Sequence, residues 1–182
     1  MEFSPTNHPD VIKIQPKVFA DDRGFFMETY QKELFTQNNI PDAFVQDNHS
    51  QSKQNVLRGL HYQVSHMQGK LVRAVTGEIF DVAVDLRRSS PHFGKWVGET
   101  LSAENKTMLW IPPGFAHGFL TLSETADVIY KTTDYYDQAG DRCIRWDDPD
   151  LAIQWPLPAG TLPLVSDKDA SGSPFKHAEV FS

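Results

Sequence analysis

Residues 70–86 read KLVRAVTGEIFDVAVDL, and this stretch predicts two β-strands joined by a tight turn. The runs 70–75 and 79–86 are mostly apolar, and Thr76-Gly77-Glu78 between them has turn composition. Alternation within the second run places four apolar residues on one strand face: Phe80, Val82, Val84 and Leu86. Asp81 and Asp85 fall on the opposite face.

Four further short stretches have strand composition, at 93–101, 107–111, 117–122 and 126–133, with Pro, Gly and Ser in the turns between them. The segment 31–38 predicts one short helix. Many short strands separated by turns predict a β-sandwich or jelly roll. With no visible repeat or linker, residues 1–182 are expected to form a single domain with a short N-terminal arm and an irregular C-terminal tail.

The bulk composition limits the classes of function. A formal net charge of −7 argues against general nucleic-acid binding, which needs a basic surface, but it leaves room for a small phosphorylated ligand held by a few local cations. No run approaches the roughly 18 apolar residues of a membrane span, and no signal-peptide pattern is visible. Cys143 is the only cysteine, which excludes an internal disulfide and suits a cytoplasmic protein.

Two histidines in strand-like stretches raise the question of a metal site. Residues 112–117 read PPGFAH and match the P-x-G-x-x-H motif of metal-binding jelly rolls, but residues 61–63 read His-Tyr-Gln where such proteins have H-x-H. A catalytic metal needs about three protein ligands and an open position. Gln63 replaces one ligand, so no metal is expected, and His61 is left free for proton transfer. His117 is read either as a buried structural histidine or as a functional one.

Several motifs occur in order along the chain, and together they carry a resemblance. They are LRGLHYQ (57–63), GKLVRAVTGEIFDVAVDLR (69–87), SPHFGKW (90–96), LSAENK (101–106), IPPGFAHGFLTLSE (111–124), YKTTDYY (130–136) and SDKDA (166–170). This combination closely resembles the dTDP-4-dehydrorhamnose 3,5-epimerase family of metal-free cupins, from residue 16 to about 170. The resemblance implies an all-β, cupin-type jelly roll with a few short helices.

The family inverts C3 and C5 of dTDP-4-dehydro-6-deoxy-D-glucose without a metal or other cofactor. By resemblance, His61 is the base and Asp169 orients and stabilises its imidazole. Tyr130 matches the acid that protonates the opposite face of the sugar, and Lys70 matches the cation beside the developing enolate oxygen. Taken alone, Asp169 reads as a helix cap, Tyr130 as a core aromatic and Lys70 as an exposed strand end.

The resemblance also implies a set of substrate contacts. Positions matching contacts to the diphosphate or sugar are Arg23, Gln46, Asn48, Arg58, His117 and Lys168. Phe26 and Glu28 match contacts to the deoxythymidine, and Tyr136 matches an aromatic that stacks on the base. Asp141 stands where relatives often have glutamate. A homodimer is implied, in which the N-terminal arm, about residues 1–28, is exchanged between subunits and covers an open sheet edge.

Arg58 and His61 are three residues apart, so in a regular strand their side chains would point to opposite faces. The resemblance nevertheless places both near the ligand. A bulge or bend at Gly59 would resolve this conflict, as would a position of Arg58 at the strand edge.

Three other functions remain open at this point. They are an epimerase acting at C3 or C5 alone, a non-catalytic jelly-roll binding module, and a metal-dependent cupin. The presence of Tyr130 favours the double epimerase over the first of these.

Overall fold

Two antiparallel sheets face each other in the computed structural model, which describes residues 1–41 and 43–182. The strands are β1 (Glu2–Pro5), β2 (Ile12–Gln15), β3 (Val18–Asp21), β4 (Gly24–Met27), β5 (Gln46–Lys53), β6 (Leu57–Gln63), β7 (Lys70–Thr76), β8 (Glu78–Asp85), β9 (Trp96–Ser102), β10 (Met108–Ile111), β11 (Phe115–Thr121), β12 (Thr125–Thr132) and β13 (Asp141–Cys143). The helices are α1 (Lys32–Gln37) and α2 (Asp167–Ala170), with a 3₁₀ turn at Phe175–His177.

The larger sheet has the strand order β1-β2-β10-β7-β12-β5, and the smaller has β13-β6-β11-β8-β9. This arrangement confirms the expected jelly-roll class and the strands and helix predicted from the sequence. None of the helices in the described ranges has the length and apolarity to cross a membrane.

The core lies between the sheets and also behind the smaller one. Residues such as Val72, Ile79 and Phe119 fill the space between the sheets. Val82 and Val84 point to the other side of β8, where residues of the C-terminal tail cover them. Both faces of β8 are therefore buried, and the face that carries Asp81 and Asp85 is fully enclosed. A carboxylate in such a position needs a partner, because burying an unpaired charge is costly.

The expected irregularity at Gly59 is present. His61 pairs with His117 and Arg58 with Phe119, so β6 carries one more residue than β11 between these two pairs. This bulge brings Arg58 and His61 to the lining of the same cavity. Gly59 has φ +121°, and a Cβ there would lie 2.6 Å from the Gly118 Cα, so the close strand approach requires glycine.

The hairpin β3–β4 forms a separate two-stranded sheet. Phe19, Phe25 and Phe26 are 52%, 56% and 66% exposed on it, although exposed aromatic clusters are uncommon on isolated domains. Strands β1 and β2 instead pair within the chain's own larger sheet, through β10.

Candidate functional site

His61 lies on β6 with its Nε2 hydrogen-bonded to Asp169 Oδ1 of α2. Asp169 is 3% exposed and also accepts a hydrogen bond from the Ser166 hydroxyl at 2.9 Å. Burial alone raises the pKa of the Asp169 carboxyl, but the hydrogen bonds from His61 and Ser166 outweigh it and hold the pKa below its ordinary value. An ionised Asp169 fixes the imidazole orientation and leaves the other ring nitrogen available to accept a proton.

Tyr130 faces the same cavity from β12 in the opposite sheet. Its ring packs on the core between the sheets, and burial raises the pKa of its phenol, with the positive charge of Arg58 opposing the shift. The hydroxyl therefore keeps its proton at neutral pH. A protonated donor thus stands on the wall across from the His–Asp pair.

Lys70 begins β7 and is 8% exposed. Burial lowers its pKa from 10.5 to about 8, against the attraction of Asp81 and Asp141. It lines the cavity beside His61 and Tyr130. A cation in a dry wall acts strongly on a developing negative charge, because little water screens it.

His117 and Asp81 form a buried pair on β11 and β8, with Nε2 and Oδ2 2.8 Å apart. Burial lowers the pKa of His117, with Asp81 opposing, so the imidazole is neutral near pH 7 and its Nε2–H donates to the carboxylate. Asp81 was not identified as a site residue from the sequence. The sequence does show that Asp81 lies on the face of β8 opposite the apolar residues. If that face is also buried, its carboxylate requires a hydrogen-bonding partner.

Two adjoining cavities share His61, Lys70 and Tyr130. One of them, of about 460 Å³, reaches Arg58, His117, Phe119 and Asp169. The Arg58 Nε–H donates a hydrogen bond to the Ser52 hydroxyl at 2.9 Å, which helps to fix the side chain. The three shared residues thus mark the point where the two cavities meet and where a ligand spanning both would contact them.

The other cavity is lined by five of the residues expected to bind substrate: Gln46, Asn48, Tyr136, Asp141 and Lys168. The Tyr136 hydroxyl donates to Asp141 Oδ2 at 3.1 Å, and the same oxygen accepts from Lys168 Nζ. Asp141 therefore positions the aromatic ring and the cation in the wall of this cavity.

Comparison with known proteins decides the family. The model of the dTDP-4-dehydrorhamnose 3,5-epimerase family matches residues 5–177. An enzyme of that name from Pseudomonas aeruginosa is 59% identical over 174 residues, covering 95% of each chain. This chain belongs to the dTDP-4-dehydrorhamnose 3,5-epimerase family.

Solved structures agree with this assignment. The dTDP-6-deoxy-D-glucose-3,5-epimerase of Legionella pneumophila, solved in complex with dTDP-4-keto-L-rhamnose, matches with a TM-score of 0.94 and 48% identity, covering 98% of this chain and 94% of that one. ChmJ of Streptomyces bikiniensis, a 3′-monoepimerase solved with dTDP-quinovose, matches with a TM-score of 0.88 and 32% identity, covering 94% and 87%. The fold is therefore common to double and single epimerases.

Three residues expected to bind substrate in an epimerase of this family lie outside the cavity of their own chain. Arg23, Phe26 and Glu28 belong to the β3–β4 hairpin and the residue that follows β4. The Arg23 side chain is 90% exposed, and its ion pair is with Asp21 of the same hairpin, at 2.6 Å. They are absent from the residues that line either cavity.

Gln63, which replaces a cupin metal ligand in this epimerase-family chain, has a structural set of partners. Its amide nitrogen donates to the carbonyls of His66 and Tyr135 at 2.7 and 3.2 Å, and its Oε1 accepts from the Asp137 amide at 3.0 Å. These bonds join two loops at the cavity rim. They require a side chain that both donates and accepts hydrogen bonds, which an amide does and a metal-bound imidazole does not.

Proposed function

We propose that this protein inverts C3 and C5 of dTDP-4-dehydro-6-deoxy-D-glucose to give dTDP-4-dehydro-L-rhamnose, in dTDP-L-rhamnose biosynthesis. The observation that carries the proposal is the position of the His61–Asp169 pair and Tyr130 on facing walls of one cavity, with Lys70 beside them. Family membership supplies the substrate class.

The chemistry follows from the C4 ketone, which acidifies the protons on both neighbouring carbons. His61 removes one of these protons, and the electron pair moves through the carbon framework to the ketone oxygen. Lys70 stabilises the resulting enolate oxygen by its charge. Tyr130 returns a proton to the same carbon from the opposite face, which inverts it. His61 then releases its proton to solvent, and Tyr130 regains one from it. Repetition at the second carbon completes the reaction with no change of oxidation state, so no redox cofactor is required.

The remaining lining residues fit the rest of the substrate. The cationic groups of Arg58 and Lys168 suit the diphosphate, and the exposed ring of Tyr136 offers a stacking surface for thymine. We assign Gln46, Asn48 and His117 to hydrogen bonds with sugar and phosphate oxygens. Burial keeps His117 neutral, and its hydrogen bond to Asp81 fixes the tautomer, which makes Asp81 a positioning residue.

A coupled assay tests the proposed activity. The purified protein is incubated with the dTDP-4-keto-6-deoxyglucose substrate and a reductase that consumes NADPH only with the epimerised ketone. Oxidation of NADPH that depends on the protein is expected, and His61→Ala should abolish it. An absence of NADPH oxidation with the wild-type protein would contradict the proposal.

A single epimerase is the second candidate, because the monoepimerase ChmJ shares the fold. Sequence identity favours inversion at both carbons, because the chain is 59% identical to the 3,5-epimerase of Pseudomonas aeruginosa and 32% identical to ChmJ. The product distinguishes the two functions, since a monoepimerase gives a sugar inverted at one carbon.

We further propose a homodimer in which the β3–β4 hairpin and Glu28 reach the partner's cavity. The exposed phenylalanines of the hairpin support this, as does the absence of Arg23, Phe26 and Glu28 from the chain's own cavity. Because β1 and β2 pair with the chain's own sheet, the proposed exchange is confined to the part of the arm from β3 onward. A cytoplasmic location is also proposed, which the free thiol of Cys143 suits.

Subunit complementation tests the exchange. His61→Ala removes the base from one chain, and Arg23→Ala removes the arm contact from the other. In mixed dimers the Arg23→Ala chain keeps its own His61 and receives an intact arm, so activity should recover above that of either variant alone. Failure to recover activity in dimers shown to be mixed would contradict the exchange, and Arg23→Ala mixed with wild type provides the control for subunit mixing.

A further inference from the structure

Cys143 brings a third potential metal ligand to the His–Asp pair. It lies on β13 directly opposite His61 of β6 in the antiparallel ladder, so the two side chains share one face. Its Sγ is 3.8 Å from Asp169 Oδ1. One ligand atom from each of His61, Cys143 and Asp169 falls within 4.8 Å of the other two.

We propose that these three residues form an inhibitory site for a thiophilic divalent cation such as Zn²⁺. The inference rests on the proposed function, because it assigns inhibition to the loss of His61 as the base. The site shares His61 with the metal position of other cupins but takes its other ligands from Cys143 and Asp169, since Gln63 is hydrogen-bonded to the loop backbone.

The donor set matches this class of ion. Imidazole nitrogen, thiolate and carboxylate are the protein ligands of zinc, at about 2.0 to 2.3 Å, and three of them with an open fourth position form a tetrahedral site. Ligand atoms of such a site lie about 3 to 4 Å apart by the same bond lengths. The three atoms reach this spacing with small side-chain movements, and the ion takes the place of the proton shared by His61 and Asp169.

Neighbouring contacts hold the three ligands close together before any ion binds. The ladder pairing holds His61 against Cys143, and the hydrogen bond from Ser166 holds Asp169. On binding, the thiol proton is released to solvent and the sulfur becomes a thiolate. Burial of the thiol and its closeness to Asp169 are the main causes that raise the Cys143 pKa to about 12, and the positive charge of the ion offsets both.

Occupation of this site stops proton transfer. A metal-bound imidazole uses one nitrogen for the ion and carries its proton on the other, so neither nitrogen accepts a proton from the sugar. Asp169 is withdrawn from the imidazole at the same time. The ion therefore lowers kcat.

The test compares wild-type protein with Cys143→Ser, because Cys143 has no part in the proposed catalysis. Both proteins are freed of metal with a chelator, and turnover is measured against added Zn²⁺. Equal turnover without metal is expected. The zinc concentration for half inhibition should rise about 10–100-fold in Cys143→Ser, the range for losing even an outer-shell metal contact. Cys143→Ala provides a second variant with the same expected shift.

Direct binding is measured without substrate. Titration with Cd²⁺ should produce a thiolate-to-metal charge-transfer band in the ultraviolet with wild type and none with Cys143→Ser. Equal zinc inhibition of both proteins, or no cadmium band with wild type, would overturn the inference while the proposed function stands. A cadmium band from a protein without turnover would keep the site and overturn the proposed function instead.

Discussion

His61 and Tyr130 line one cavity from opposite sheets of the sandwich, His61 on β6 and Tyr130 on β12. Inversion of a carbon requires removal of a proton from one face and delivery to the other. The two facing sheets place His61 and Tyr130 on opposite sides of a bound substrate, and strand pairing within each sheet holds them there.

Tyr130→Phe should separate proton removal from inversion. His61 still removes the proton, but without the Tyr130 hydroxyl the carbon is reprotonated by His61 on its original face. Product formation should therefore fall by about 10²–10⁴, the usual contribution of a positioned acid. In deuterated water the unreacted substrate should still gain deuterium. Proton NMR measures both quantities, and His61→Ala, which should lose both, is the control. Normal inversion by Tyr130→Phe would show that another group is the acid.

Lys70→Met should lower activity and raise stability together. Turnover should fall about 10²–10³, as for loss of one oxyanion contact. Burial lowers the pKa of Lys70 from 10.5 to about 8, so the side chain is still charged at neutral pH. Keeping this charge buried costs the folded state on the order of 3 kcal/mol, at about 1.4 kcal/mol per pKa unit. Methionine removes this cost, so the Tm should increase.

The pH dependence of Lys70 has a definite sign. Between about pH 8 and 10.5 the unfolded chain binds the proton and the folded chain does not, so wild-type stability should rise with pH across this window relative to Lys70→Met. Activity should change the other way, because kcat/KM falls as Lys70 loses its charge above about pH 8. Lys53→Met is the matched control, because Lys53 is exposed. If Lys53→Met stabilised the fold as much as Lys70→Met, burial of the Lys70 charge would not explain the gain.

Gly59→Ala should disrupt the bulge that aligns Arg58 with His61. A Cβ at this position lies 2.6 Å from the Gly118 Cα, and φ is +121°, so the fold should lose at least about 1–3 kcal/mol and kcat should fall with it. Gly160→Ala is the control, because it has φ +77° but nothing within 4 Å of the added Cβ. Denaturant unfolding gives the comparison, and equal losses at both positions would contradict the close-approach argument.

Gln63→His restores the cupin sequence pattern but should not create a cupin metal site. Two carbonyls and one amide of the rim loops lose their partner, at about 1–3 kcal/mol for each buried group left unpaired. The Tm should fall, and metal analysis should show no ion beyond those bound by wild type. Gln54→His, which breaks one exposed bond to the Leu122 carbonyl, should change the Tm little.

The strand pattern of 70–86 predicted the central hairpin correctly, because alternation and turn composition are local properties. The pairing of His61 with Asp169 was predicted only through the family resemblance, since these residues are 108 positions apart and a short helix with Ser at its start has no distinctive chemistry. The role of Asp81 was missed because the sequence pattern does not reveal that both faces of β8 are covered. The bulge at Gly59 was one of two options, and the pairing with β11 decided between them.

The most direct test of the proposed mechanism is the reaction of the wild-type protein with dTDP-4-keto-6-deoxyglucose in deuterated water, followed by proton NMR. We expect a product with inverted configuration and deuterium at both C3 and C5, and no exchange with His61→Ala. Inversion and deuterium at a single carbon, or inversion without deuterium at either, would contradict it.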